Sequence, residues 1–234
     1  CFNCIQIHRF FRRNSDTEMF PIIGPTAEAN YRVKTPKGLA VQDQHGLLRE
    51  MEYKLEIATT NSATFKKEYK AGTSIQNSKF PEKSKEEFLQ WPYDFEFKKI
   101  FKLSSDGLEV SFVITGESGM PFMLGYHPAF NIVTENPIII TKDKKITLDE
   151  VLAVGSRAYQ VENCNKIQLK DKNTLAIKTE GFGSFMLWTE VKNMICIEPI
   201  TFYPYAVAQN NLSEGFTRLK NERALFKMSI VVTK

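Results

Sequence analysis

Long apolar runs are what this 234-residue chain most plainly lacks. No stretch approaches the roughly 18 consecutive apolar residues that a membrane-crossing helix needs, so no membrane partner is expected. Cysteine is scarce: four in all, with Cys164 and Cys196 isolated in strand-like surroundings. That usage excludes a disulfide framework and suits reduced thiols in a cytoplasmic protein. Cys1-x-x-Cys4 followed by His8 supplies three of the four ligands of a zinc site, but no fourth follows at finger spacing, so no metal is expected. A basic block is missing too. The formal charge of +4 is spread thinly, and the lysine-rich stretches 66–70 and 83–87 alternate with glutamate, the pattern of a solvated surface rather than of a nucleic-acid site. The opening CFNCIQIHRFFRRN has no initiating Met and no apolar segment with a small-residue cleavage site, so it reads as a truncated or atypical amino terminus rather than a secretory leader. Internal repeats and low-complexity stretches are also absent, which leaves one domain over residues 1–234 as the expectation.

What is present is aromatic and β-branched. Aromatic residues make up 12% of the chain, with eighteen Phe, and 42% hydrophobic residues suffice for a sizeable core. Phe95, Phe97, Phe101 and Leu103 share one parity. After the turn Ser104-Ser105-Asp106-Gly107, residues Leu108, Val110, Phe112 and Ile114 share another, so the segment reads as a hairpin with one buried face on each arm. Further strands are expected at 122–124, 137–141, 145–148, 174–178, 184–189, 194–198 and 224–232, a regular spacing of short strands that argues for an all-β sandwich. Residues 61–90 break the pattern. They are polar and lysine-rich and predict a loop with a short helix near 84–90, capped by Ser84 and carrying Glu86 and Glu87 in its first turn.

Only three histidines occur, and two lie in segments crowded with turn-forming and aromatic residues: Gln44-His45-Gly46 and Gly125-Tyr126-His127-Pro128-Ala129-Phe130-Asn131. Histidine is the side chain best suited to move a proton near neutral pH. Pro128 disfavours the α region for His127 and holds it extended, so its imidazole projects from a rigid position. Glu198 stands in the same relation to Pro199, closing the apolar run Met194-Ile195-Cys196-Ile197. A carboxyl so placed is half-buried, and desolvation raises its pKa unless a cation or hydrogen bonds offset it. Taken singly, they are better explained as a structural histidine and an exposed strand-end glutamate. Together they suit a reaction that protonates one oxygen while deprotonating another.

Several segments occur in order: Phe20-Pro21-Ile22-Ile23-Gly24, Gln44-His45-Gly46, Trp91-Pro92-Tyr93-Asp94-Phe95, Met120-Pro121-Phe122 through Phe130-Asn131, and Met186-Leu187-Trp188 through Ile197-Glu198-Pro199. Together they resemble the short bacterial branch of the aldose 1-epimerase (galactose mutarotase) family, from about Arg13 to the last strand. The H-P-A-F-N and I-E-P pieces are the most specific.

The resemblance implies a large antiparallel β-supersandwich with a sugar, the small-molecule substrate, lying across a concave sheet face. It also implies His127 as catalytic acid, Glu198 as catalytic base, His45 as a contact to a sugar hydroxyl, and Arg13, or else Arg12, as a sugar-binding arginine. Tyr126 and Trp188, with Trp91 and Phe130, are candidate platforms for a flat sugar face. Anomers would interconvert by ring opening and reclosure with no cofactor, because only protons move. The chain departs from the family's pattern before Arg13, where one or two strands and a tryptophan-bearing segment are usual, and after Glu198, where Trp and Gly are usual. A carbohydrate-binding protein without turnover, an epimerase of a phosphorylated hexose, and a structural sandwich are the alternatives. The last would be supported if His45, His127 and Glu198 lay far apart. A phosphorylated substrate calls for two or more cations converging on the cleft.

Overall fold

The computed structural model describes residues 17–233. Two antiparallel sheets dominate it. In the nine-stranded sheet the order is Lys145–Thr147, Ile138–Ile140, Lys166–Lys170, Thr174–Glu180, Arg223–Thr233, Gly107–Gly116, Phe95–Leu103, Ser62–Tyr69 and Lys54–Ala58. The smaller sheet, of six strands, runs Glu18–Met19, Gly125–Tyr126, Met194–Ile200, Ser184–Trp188 and Tyr159–Val161, with Ala129–Asn131 also paired to Met194–Ile200. Met194–Ile200 thus has neighbours on both sides, and all seven of its residues are buried.

The expected hairpin forms as Phe95–Leu103 and Gly107–Gly116, in continuous register from Phe95 opposite Gly116 to Leu103 opposite Leu108. Its inward aromatics meet the smaller sheet: the Phe112 ring lies 5.0 Å from Tyr126, and Phe20 lies 4.9 Å from Phe95 and 5.3 Å from Phe97. Residues of both sheets fall into one hydrophobic cluster.

Two local expectations are overturned. Residues 61–90 hold no helix; they contribute the eight-residue strand Ser62–Tyr69 and the short strands Ile75–Gln76 and Phe88–Leu89. The misleading residue is Lys67, which sits on the buried parity with Tyr69. Its ammonium is satisfied inside, donating to the Leu48 carbonyl at 2.8 Å and lying 4.0 Å from the centre of the Tyr53 ring. A core-facing lysine breaks the alternation by which a strand is recognised. Conversely, a helix forms at Leu148–Val154, where a strand end was expected. Thr147 and Glu150 close a capping box around its first turn, with the Glu150 amide donating to Thr147 Oγ1 at 3.2 Å and the Thr147 amide to Glu150 Oε2 at 2.7 Å. Among the described residues no helix is long and apolar enough to cross a membrane.

Candidate active site

His45 sits on a turn in which almost every polar group of the backbone is engaged. Its amide donates to the Ile23 carbonyl at 2.8 Å, and its own carbonyl accepts from Phe20 at 3.2 Å. Fully buried Gln42 accepts from the Leu47 amide at 3.0 Å and donates to the Gln90 carbonyl at 3.0 Å, while Asp43 Oδ1 accepts from the Gln44 amide at 2.6 Å. The turn places His45 at φ 77° and Gly46 at φ 71°, the left-handed side that side chains avoid. Glycine is needed at 46 for a second reason. A Cβ there would lie 2.3 Å from the Phe20 carbonyl oxygen.

Arg49, one turn of 3-10 helix beyond, fixes the imidazole. Its Nη1 lies 2.7 Å from His45 Nδ1, while its Nε and Nη2 donate to the carbonyls of Glu18 at 2.8 Å and Thr17 at 3.4 Å. A guanidinium can only donate, so Nδ1 must accept and the His45 proton resides on Nε2. His45 is thereby set as a hydrogen-bond donor.

His127 occupies the short connection between Gly125–Tyr126 and Ala129–Asn131, anchored by its amide to the Thr17 carbonyl at 2.8 Å. The sequence reading put Glu198 at a strand end. The structure places it inside Met194–Ile200, which continues through Pro199 with Glu198 opposite Met186 on the neighbouring strand. Across the sheet His127 Nε2 lies 3.0 Å from Glu198 Oε1, with the carboxylate side chain almost wholly buried and the imidazole 21% exposed. The two atoms touch but are not aligned as a hydrogen bond, and Oε1 has no donor. Burial pushes the Glu198 carboxyl up to about 8, against the opposing pull of the Arg49 cation. The His45 ring lies 5.7 Å from the His127 ring, and the partly exposed Trp188 ring lies 5.8 Å from it.

The three residues on which the functional reading depends, His45, His127 and Glu198, therefore converge, as a purely structural sandwich would not require. Trp188 joins them. Tyr126 is buried with its ring 5.0 Å from Phe112, and Trp91 and Phe130 are likewise buried. Arg13 and Arg12 lie outside the described residues, as do Cys1, Cys4 and His8.

Two residues that sequence reasoning passed over belong to the site. Arg49 is four positions after His45 in Gln44-His45-Gly46-Leu47-Leu48-Arg49, a spacing that returns it to the same side of a helical turn. Cys196 precedes Glu198 by two in the same strand and so shares its face. Beside them Lys79 lies 3.2 Å from Asp43 Oδ1 and donates to the Gln44 carbonyl at 2.6 Å. Burial is the main cause lowering its pKa, and Arg49 adds to the effect.

Fold and site together define an antiparallel sandwich with an imidazole and a buried carboxyl meeting on one sheet face. The family model for aldose 1-epimerase matches residues 27–182, and the chain belongs to that family. Its architecture is the galactose mutarotase-like supersandwich. A galactose mutarotase-like protein from Lactobacillus casei superposes with a TM-score of 0.71 at 16% identity, covering 92% of this chain and 84% of its own. A galactose mutarotase related enzyme from Lactobacillus acidophilus superposes with a TM-score of 0.70 at 21% identity, covering 93% and 82%. In sequence, the plasmid and chromosomal LacX proteins of Lactococcus lactis are 32% identical over 120 residues, which is 48% of this chain and only 35% of each relative's length.

Proposed function

We propose that the protein is a mutarotase, interconverting the α and β anomers of an aldose by acid/base-catalysed ring opening and closure. The observation that carries this reading is the 3.0 Å approach of His127 Nε2 to the buried, donor-less Glu198 Oε1. The anomeric hydroxyl and the ring oxygen share one carbon, so an acid and a base that serve both must be neighbours. These two are.

Glu198 takes the proton from the anomeric hydroxyl while His127 gives its proton to the ring oxygen, and the ring opens to the free aldehyde. After this step the carboxyl is protonated and the imidazole neutral. Rotation about the C1–C2 bond presents the other face of the aldehyde, and reclosure returns each proton by the same route. One turnover thus uses both distributions of a single proton over the pair. Raising the carboxyl to about 8, near the range of an ordinary imidazole, keeps the two distributions close in energy. His45, oriented by Arg49, offers its Nε2–H to a sugar oxygen, and the Trp188 indole beside His127 is the apolar platform. Only protons move, so the chemistry calls for no cofactor.

Polarimetry of freshly dissolved α-glucose and α-galactose tests the reading. Acceleration of mutarotation is expected for the wild-type chain. Calorimetric sugar binding with no acceleration would instead assign a binding protein of the same fold.

A further inference from the structure

The face that carries Glu198 also carries Cys196, and the ligating atoms of His127, Cys196 and Glu198 all lie within 4.8 Å of one another. We propose that this trio binds one thiophilic divalent cation, of which Zn2+ is the type, and that the ion blocks the acid/base pair. As a regulation of the same site, the blocking half of the proposal rests on the mutarotase reading; the binding half does not.

The donor set is one thiol, one imidazole and one carboxylate. Ligand distances of about 2.3 Å for sulfur and about 2.0–2.2 Å for nitrogen and oxygen fit zinc, whereas Mg2+ and Ca2+ demand an all-oxygen shell. His127 Nε2 and Glu198 Oε1, at 3.0 Å, are already near the edge length of such a tetrahedron, and Cys196 needs only a small closing movement. A second observation points to a ligand here: Glu198 Oε1 is fully buried, faces the other two groups and accepts no hydrogen bond. A cation would satisfy it. His127 is the partly exposed member of the trio and the side from which an ion would reach it.

On binding, Cys196 gives up its proton to solvent, as Glu198 does where it holds one, and the ion takes the lone pairs of Nε2 and Oε1. Those are the two atoms through which protons pass in ring opening. Zinc at this place is therefore an inhibitor and not a cofactor, because it removes the base and the acid in one step.

The test uses the full chain carrying Cys1→Ser and Cys4→Ser, so that the amino-terminal C-x-x-C cannot hold the metal. Calorimetric titration with ZnCl2 should give one ion per chain, with proton release that varies with the ionisation heat of the buffer. Co2+ should give a thiolate charge-transfer band in the near ultraviolet. In that background Cys196→Ser should abolish the band and weaken zinc at least tenfold. His127→Gln, a change at the cleft edge that leaves the core intact, should weaken it similarly, and circular dichroism confirms that each variant is folded. Absence of zinc binding in the parent background, or binding unchanged by both substitutions, overturns the proposal. Where mutarotation is measured, Zn2+ should inhibit with the occupancy seen by calorimetry, and Cys196→Ser should require at least tenfold more. Binding without inhibition overturns the blocking role. A metal-free protein with no mutarotase activity refutes the functional reading and leaves the titration standing.

Discussion

At the scale of single residues, the titration of Glu198 governs the pH behaviour of the site. Its carboxyl is raised from the ordinary 4.5 to about 8 chiefly by burial, so the free protein gains its base as pH rises. The working pair also needs the proton on His127 and so carries one proton in all, which means kcat/KM should fall as pH rises past about 8, and a profile flat from about pH 7 to about pH 10 would refute the assignment. The same shift has a consequence for stability. Between about pH 4.5 and 8 the folded state holds a proton that the unfolded carboxyl has lost, so ionisation works against folding across that window. Glu198→Gln removes the penalty. Its thermal stability should match the wild type near pH 4 and exceed it increasingly up to pH 8, by on the order of 1 kcal/mol per pH unit, and stay ahead above. Arg49 acts one residue further back, through the His45 tautomer. Arg49→Met should lower kcat/KM about 10- to 100-fold while the protein stays folded, because a freed His45 samples the wrong tautomer. Unchanged kinetics in that variant would show that His45 needs no such support.

His127, Glu198 and His45 were legible as candidates because the following proline or the turn glycine marks each segment, and their roles came from the family resemblance. Arg49 was not, since an arginine among leucines reads as a surface residue until the turn brings it back to His45. Tyr126, adjacent to His127, was expected beside the sugar. In an extended segment neighbours point to opposite faces, so the tyrosine of this pair packs inward when the histidine faces the site.

At the scale of elements, two segments position the site. The strand Met194–Ile200 sets Glu198 and Cys196 on one face between paired neighbours. The 42–49 turn sets His45. Gly46→Ala forces a Cβ into the Phe20 carbonyl at a positive φ, a strain of about 1–3 kcal/mol before the clash is counted. The variant should lose stability and, at a temperature where it remains folded, lose kcat/KM through a displaced His45; a fully active, fully stable Gly46→Ala would contradict the placement. The strands with clean alternation, such as Phe95–Leu103 and Gly107–Gly116, could be read from the sequence to within a residue or two. Ser62–Tyr69 could not, because a lysine occupies a core-facing position. Leu148–Val154 could not either: seven residues carry too little periodicity to show, and only the Thr147 to Glu150 capping box betrays it.

At the scale of the whole molecule, the site is supported by a seam of buried charge between the sheets. Lys99, on the buried parity of Phe95–Leu103, meets Glu18 Oε1 at 2.6 Å, and Glu18 in turn holds Arg49 through its carbonyl. The larger sheet is thereby tied to the arginine that orients His45. Replacing one partner leaves a buried charge unpaired, so Lys99→Met should destabilise the protein by about 3–5 kcal/mol, with the double variant Lys99→Met/Glu18→Leu recovering much of the loss. Chemical denaturation reads both. The central claim, that His127 and Glu198 together open a sugar ring, is tested most directly by polarimetric mutarotation of the wild-type, His127→Ala and Glu198→Gln proteins at one pH near 8. Acceleration by the wild type and a loss of at least about 100-fold in each variant is the predicted result; full activity in either variant contradicts it.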